Sequence, residues 1–395
     1  MAQSKSEEHL YFLDYLRGMA IMLVFAYHAL AVSYGRGQLD WQGWGRDFHQ
    51  VSGGFLYLLP LMFGQGGVAI FFVVSGFCIH LSHERSKNKS FNVFFARRFF
   101  RIYPPYFVAL IFFVLFLRST KLNFHSGHDL AQFFIHLLLV HNLGGFSFSG
   151  ISPSFWSIAV EAQLYLLYPL LLLLVGRWGW KGALLVTGVI EVFLRLTGGL
   201  DDNLPRWFTS SPLTYWFSWS IGACLADGLL KGRRVMLTGC PLWVWPVFTV
   251  VFFFIKPLYG LCFLTIALFT ANVIAYLART ENAGQANESR IFGWGYLARH
   301  IRWVGVISYS VYLLHQPFTW FMPHIFSRLF PAHPVHPLVM LASFGLEWPL
   351  ILLMSYFFYR YVEQPSIHWG KWFIRTKLVG DAVKQESGSK SALAP

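Results

Sequence analysis

The chain has 395 residues, 55% of them hydrophobic and only 12% charged, with a mean hydropathy of +0.49. A soluble protein carries about twice that charged fraction, so the composition excludes an ordinary soluble enzyme, and no separate soluble domain is expected beside the apolar segments. The formal charge of +13 would suit nucleic-acid binding, but the basic residues gather in alternate loops, as the positive-inside rule requires. No nucleic-acid partner is expected.

The amino terminus, MAQSKSEEH, is polar and lacks the basic n-region of a signal peptide, so the first apolar stretch is expected to be retained. A span needs about 20 mostly apolar residues. Ten segments qualify, near 11–32, 55–81, 102–118, 155–175, 183–197, 213–230, 241–256, 257–278, 303–322 and 336–361. The glycines of the second predict a break in it. With the amino terminus inside, most of the 31 basic residues fall on the cytoplasmic side. The prediction is an all-α integral membrane protein, a bundle of about ten transmembrane helices, N-in and C-in. It forms a single transmembrane domain over 1–365, with a cytoplasmic tail over 366–395 that is polar from about Gly380 and expected to be disordered. The outer loop 119–153 carries an amphipathic stretch suited to the interface. Cys78, Cys224, Cys240 and Cys262 lie in or beside apolar segments without metal-ligand spacing, so no metal site is expected.

Several polar residues lie at costly membrane depth. In the first segment, LDYLRGMAIMLVFAYHALAV, Arg17 and His28 are separated by ten residues. Eleven helical steps bring His28 back within about 20° of the Arg17 face, and Asp14 lies on the same side. His28 is suited to general base work near neutral pH, or to an interhelical hydrogen bond. Arg17 suits an anchoring role as well as a site, and Gly18 permits close approach of a second helix. In GGVAIFFVVSGFCIH, Ser75 has no nucleophile elbow around it, and Ser75–Gly76 reads first as helix packing. The run FFARRFFRIYPPY places Arg97, Arg98 and Arg101 on neighbouring helical positions. Guanidinium forks suit phosphate, and a topogenic basic loop has the same appearance. Glu161, one and a half turns past Trp156, needs a partner, and His28 is the expected one. SYSVYLLHQP adds Tyr309, Tyr312 and His315, the last mid-span, and YVEQP closes the last helix.

Taken together, LDYLRGMAIMLVFAYHA, GGVAIFFVVSGF, FFARRFFRIYPPY, FWSIAVEAQLYLLYPLLL and ISYSVYLLHQP make a sequence that resembles the acyltransferase-3 family of integral membrane O-acyltransferases from about Leu13 to Pro365. The resemblance implies transfer of an acyl group, acetyl foremost, from cytosolic acyl-CoA to a hydroxyl of a cell-surface carbohydrate or glycolipid, in a bacterial inner membrane, with no permanently bound cofactor. The family's arginine–ten residues–histidine motif maps onto Arg17 and His28, its R-x-x-R motif onto Arg98 and Arg101, and its W-S-x-x-x-E acid onto Glu161. Where the family commonly has a second carboxylate, this chain has Ala162. The family often carries an extra periplasmic esterase-like domain; none is expected after the last span here, and the bundle and its outer loops are expected to recognise the acceptor. The expected mechanism seats CoA phosphates on Arg97, Arg98 and Arg101, uses Arg17 to brace the donor, and takes the acceptor's proton on His28, oriented by Glu161. An acyl-histidine intermediate stays open. So do a proton-coupled transporter and an acyltransferase for a macrolide, peptide or lipid hydroxyl.

Overall fold

The computed structural model describes residues 10–32, 59–117, 122–148, 150–201, 203–235, 238–282, 295–319, 325, 328–329 and 337–379. Among the described residues the protein is helical and has no strands, the outcome expected where a backbone surrounded by lipid must satisfy its own hydrogen bonds. In chain order the helices are α1 (Tyr11–Ala26), α2 (Gly67–Arg85), α3 (Phe91–Phe116), α4 (Gly127–Leu137), α5 (Phe155–Leu200), α6 (Trp216–Leu230), α7 (Val244–Phe253), α8 (Leu261–Asn282), α9 (Gly295–Val306), α10 (Ser308–Thr319), α11 (Pro337–Phe358) and α12 (Gln364–Phe373).

Six stretches among the described residues are long and apolar enough to cross a membrane: Tyr11–Leu30, Phe63–Arg85, Phe91–Phe116, Phe155–Leu200, Leu261–Arg279 and Leu341–Leu378. The chain is therefore a multi-pass membrane protein. Sequence periodicity divided the segments differently. The fourth and fifth expected segments are the two halves of α5, which bends at Gly179 (φ 67°, ψ 178°). The segment near 213–230 is the 15-residue α6, and that near 241–256 contains the 10-residue α7. The segment near 303–322 is two helices, α9 and α10, separated at Ile307. Residues 55–58 of the second expected segment lie outside the described residues.

Two glycine crossings hold the centre together. A Cβ on Gly76 would lie 1.9 Å from the Trp219 carbonyl oxygen, and one on Gly222 would lie 2.0 Å from that of Val73. α2 and α6 thus touch backbone to backbone, as small residues permit in membranes. α1 and α9 cross in the same way, with Gly18 against the Ile301 carbonyl and Gly305 against that of Asp14. Around these crossings Ile21, Phe25, Phe72, Tyr168, Trp219 and Val311 form the core. Leu166, Leu173 and Leu185 are exposed, as residues facing lipid would be.

The segment after α3 folds back over the bundle. The Tyr106 hydroxyl donates to the His136 carbonyl at 2.8 Å, and Gln163 on α5 donates to the Leu139 carbonyl and to Asn142 Oδ1, each at 2.8 Å. Beneath it the rings of His136 and His141 stack at 4.1 Å, both fully buried. Burial holds His136 down at about 4 and lowers His141 well below the usual histidine range.

The first half of the tail is ordered. Residues 366–379 continue as helix through α12 and a π-helical turn, Ile374–Val379. α12 docks on α3: Ser366 Oγ donates to the Phe100 carbonyl, and a Cβ on Gly370 would lie 2.6 Å from Phe100 Cβ. The aromatic faces that make Phe100 and Phe373 apolar also make them partners, 5.5 Å apart. The expected disordered end, 380–395, lies outside the described residues.

Candidate active site

Two cavities meet in the middle of the bundle. The inner one, of about 270 Å³, is lined by Arg17, Ser75, Cys78, Arg98, Arg101, Glu161, Tyr165 and Tyr309, among others. The outer one, of about 400 Å³, is lined by His28, Gln65, Trp156, Arg195, Tyr259 and Gln316, among others. Val68 and Tyr312 belong to the walls of both.

α1 supplies one end residue to each. Arg17 hydrogen-bonds Asp14 Oδ1 at 3.3 Å and Cys78 Sγ at 3.0 Å, so the acid and the cation on one helical face pair, as their spacing suggested. Eleven residues further on, α1 loosens into a π-helical turn, Tyr27–Val32, that contains His28. Such turns are frequent at functional sites. The shared face of Arg17 and His28 therefore spans two cavities rather than lining one.

His28 takes a different partner from the expected one. Its Nδ1 lies 2.9 Å from the Val24 carbonyl and 3.2 Å from His315 Nε2. His315 Nδ1 lies 2.9 Å from the Tyr312 carbonyl. A carbonyl only accepts, so each Nδ1 carries a proton. His315 Nε2 is then the acceptor for His28 Nδ1–H, and His28 Nε2 holds a lone pair. This tautomer assignment follows from the bonding pattern. The π-helical turn and α10 thus fix a histidine pair in which the second ring orients the first. His315, expected at mid-span depth, is fully buried.

Glu161 lies in the wall of the inner cavity. Its Oε1 accepts from Ser75 Oγ at 2.7 Å and from the Tyr165 hydroxyl at 2.5 Å. The Trp219 indole donates to Ser75 Oγ at 3.3 Å. The expected Glu161–His28 pair is therefore replaced by a Glu161–Ser75–Tyr165 cluster. The reason is local: Tyr165 follows Glu161 by one helical turn, and the Gly76 crossing presses Ser75 towards α5. Ser75–Gly76 is a packing pair, as expected, and Ser75 lines the cavity too.

The arginines divide. Arg98 and Arg101 line the inner cavity. Arg98 donates to Ser82 Oγ at 3.0 Å and lies over the Phe94 ring. Arg97 instead donates to Ser86 Oγ at 3.1 Å and is not part of the cavity wall. The three were expected to act together, but Arg97 and Arg98 lie about 100° apart with Arg101 between them, and the cavity is on the Arg98 side. A smaller cavity of about 170 Å³ joins Arg17, Arg101, Tyr309 and Glu363. Glu363 Oε2 accepts from Ser310 Oγ at 2.6 Å. Tyr309 donates to the Ile102 carbonyl at 2.8 Å, which commits its hydroxyl to joining α10 and α3. Tyr312 lies on the shared wall, 2.5 Å from Ser157 Oγ.

Sequence reasoning missed the polar wall of the outer cavity. Glu191 and Arg195, four residues apart on α5, form a buried ion pair at 2.9 Å. Ser218 donates to Glu191 through its backbone N–H at 2.9 Å and its hydroxyl at 2.6 Å. The Arg195 guanidinium lies over Phe263 and Tyr215 at 4.4 and 5.0 Å and donates to the Gly260 carbonyl. The i,i+4 spacing of opposite charges in an apolar run was the available signal. Among the described residues, no three His, Cys, Asp or Glu side chains gather as a metal site would require.

In chemical terms, the inner cavity offers fixed cations beside a hydrogen-bonded carboxylate. The outer one offers an oriented imidazole among aromatic rings and amides. The chain is 27% identical over 350 residues to the peptidoglycan O-acetyltransferase OatA of Listeria monocytogenes, a match covering 77% of this chain and 48% of that protein. It is 25% identical over 385 residues to the O-acetyltransferase OatA of Staphylococcus aureus, covering 89% and 56%. A third relative, nodulation protein 10 of Rhizobium leguminosarum, is 32% identical over 146 residues, covering 33% and 39%. The chain spans about half the length of the two O-acetyltransferases it matches. No solved structure matches it. A family model described as an acyltransferase domain matches residues 10–373, which contain both cavities, and the chain belongs to this acyltransferase-3 family.

Proposed function

We propose that the chain is an O-acetyltransferase that moves an acetyl group from cytosolic acetyl-CoA to a hydroxyl of a cell-surface carbohydrate, peptidoglycan foremost. The observation that carries this reading is the pair of cavities with a common wall. One is rich in arginine and the other holds the oriented imidazole, and Val68 and Tyr312 separate them. The bundle is read as ten spans, N-in and C-in, in a bacterial inner membrane, so that the arginine cavity opens to the cytosol.

In this reading Arg98 and Arg101 take the phosphates of CoA as bidentate forks, and Arg17, braced by Asp14, holds the donor near the common wall. The acceptor enters the outer cavity, where Trp156 and Tyr215 suit the apolar face of a sugar and Gln65 and Gln316 suit its hydroxyls. His28 Nε2 accepts the hydroxyl proton as the oxygen attacks the thioester carbon. The resulting imidazolium donates through Nδ1–H to neutral His315 and to the Val24 carbonyl. His315 therefore does here what a carboxylate does in a triad: it holds the tautomer and stabilises the cation. As the tetrahedral intermediate collapses, the C–S bond breaks and the Nε2–H of the His28 imidazolium returns its proton to the sulfur, so that CoA leaves as the thiol and His28 is neutral again. Glu161, with Ser75 and Tyr165, forms a hydrogen-bonded wall against the donor and acts as a positioning group, remote from the base.

The test is transfer of labelled acetyl from acetyl-CoA to peptidoglycan fragments in vesicles holding the full chain. Transfer that depends on His28 is the expected result. Transport of an acceptor without acetylation, unchanged in His28→Gln, would replace the reading with a transporter.

A further inference from the structure

Outside both cavities, a larger apolar groove runs along the lipid-facing side of α5 and α6, with a volume of about 910 Å³. Its origin is the bend at Gly179, where φ is 67°. The bend swings the second half of α5 across α6, and the two helices touch at Gly188, whose Cβ position lies 3.1 Å from the Phe217 ring. One wall is a single helical stripe four residues apart, Leu185, Val189 and Phe193, which are 68%, 61% and 61% exposed.

The groove has a charged end. Lys181, Arg233 and Arg234 line it there, and Trp178 and Trp180 flank the bend. Asp227 compensates Arg233, at 3.0 Å, and Lys231. Lys181 and Arg234 are exposed, and neither forms a salt bridge among the described residues. From Lys181 to Phe193 the helix rises about 18 Å. Half the hydrocarbon thickness of a bilayer is about 15 Å. A groove one leaflet deep, apolar along its length, with tryptophans and cations at the headgroup level, has the dimensions and polarity of one lipid.

We propose that this groove binds one anionic phospholipid of the leaflet at the basic end of the bundle. The phosphate sits on Lys181 and Arg234, and an acyl chain lies along Leu185, Val189 and Phe193. The excess of positive charge at that end selects against a zwitterionic lipid, whose own cation would meet Arg233. Basic clusters beside membrane helices recognise anionic headgroups on the same grounds. The site is independent of the proposed acetyl transfer, because none of these residues lines either cavity.

The experiment is native mass spectrometry of the detergent-purified full chain, titrated with phosphatidylglycerol or phosphatidylcholine. One tightly retained phosphatidylglycerol is expected, preferred over phosphatidylcholine by about 10-fold or more. The double variant Lys181→Gln, Arg234→Gln should lose that preference, whereas Arg85→Gln with Lys87→Gln should keep it. Leu185→Trp, which fills the groove without changing charge, should lower retention of both lipids. Equal retention of the two lipids by the unaltered chain would overturn the proposal. So would an equal loss in the Arg85/Lys87 control, which would mean diffuse attraction to a basic surface. Displacement of the lipid by millimolar inorganic phosphate would also overturn it, because the acyl chain would then contribute nothing.

Discussion

The inner and outer cavities share Val68 and Tyr312 yet hold their polar groups in opposite ways. In the inner cavity, Arg17, Arg98, Arg101 and Glu161 are steered by short side chains from neighbouring helices: Asp14 and Cys78, Ser82, and Ser75. Arg17 bonds Asp14 and Cys78, Arg98 bonds Ser82, and each guanidinium keeps further donors for a ligand. In the outer cavity the charged pair, Glu191–Arg195, is buried and closed on itself through Arg195 Nε and Glu191 Oε1, so it shapes the wall. The chemistry there rests on one imidazole oriented by another. The difference teaches that a charge at membrane depth is no guide to its task. The exposed-to-cavity arginines suit ligand binding, whereas the buried pair is architecture.

The comparison breaks first at His28. His28→Gln keeps a hydrogen-bonding group in the outer cavity but removes the lone pair that accepts the proton. Acetyl transfer should fall about 10²–10⁴-fold, with CoA affinity by calorimetry unchanged because the donor binds in the other cavity. Parallel loss of transfer and CoA affinity would mean that the two cavities act as one.

A second break concerns the architecture. Glu191→Gln leaves the Arg195 charge buried without its counter-ion, and removing one partner of a buried pair costs about 3–5 kcal/mol. Thermal unfolding in detergent should show the loss directly. Replacing both, by Glu191→Leu with Arg195→Met, should cost less than the single change, because no bare charge remains. If Glu191→Gln unfolds at the temperature of the unaltered protein, the pair is not structural.

Acid should loosen the outer side before the inner. His136 is buried and neutral, held at about 4 against an ordinary 6.5. A histidine whose folded value is lowered contributes its stability above its unfolded value and loses it as pH falls through that value toward the folded one. The window is therefore pH 6.5 down to about 4, and the contribution at stake is about 3 kcal/mol at 1.36 kcal/mol per unit. The segment it anchors supplies Phe148, Pro153 and Ser154 to the outer cavity. Hydrogen exchange at pH 5 should rise in residues 127–148 and not in α8, which carries no histidine. Equal protection at pH 5 and pH 7 would refute this.

Much of this arrangement was legible in the residues, and what was not has physical reasons. Hydropathy located the apolar segments because burial in lipid demands long apolar runs. It placed a boundary between 175 and 183, where the backbone of α5 breaks at Gly179, but the break at Ile307 went unseen. The Asp14–Arg17 pair and the close approach at Gly18 follow from local spacing. The partners of His28 and Glu161 do not, because they depend on which helix lies next to α1 and α5. Depth alone suggested that the two paired with each other. The π-helical turn at Tyr27–Val32 and the crossing at Gly76 direct them to His315 and Ser75 instead. The Glu191–Arg195 pair had a spacing signal but no motif to draw attention to it.

The smallest expected effect is also the sharpest test of how the inner cavity reads its donor. Arg98 and Arg101 line it, and Arg97 bonds Ser86 outside it. A hydrogen bond to a charged group is worth about 1.5–3 kcal/mol, so Arg98→Ala or Arg101→Ala should weaken acetyl-CoA binding about 10- to 100-fold. Arg97→Ala should change it less than about threefold, an amount expected from the lost general field alone. Lysine at Arg98 keeps the charge without the fork and should recover part of the affinity. Added salt should reduce binding to the unaltered protein and to Arg97→Ala alike, since both keep the same phosphate contacts. Dephospho-CoA separates charge from position: if one of the two cavity arginines holds the ribose phosphate, that variant alone should bind acetyl-CoA and its dephospho form equally. Three arginines with equal effects would mean that the run acts as a diffuse basic surface, and the division drawn from the helical face of α3 would be wrong.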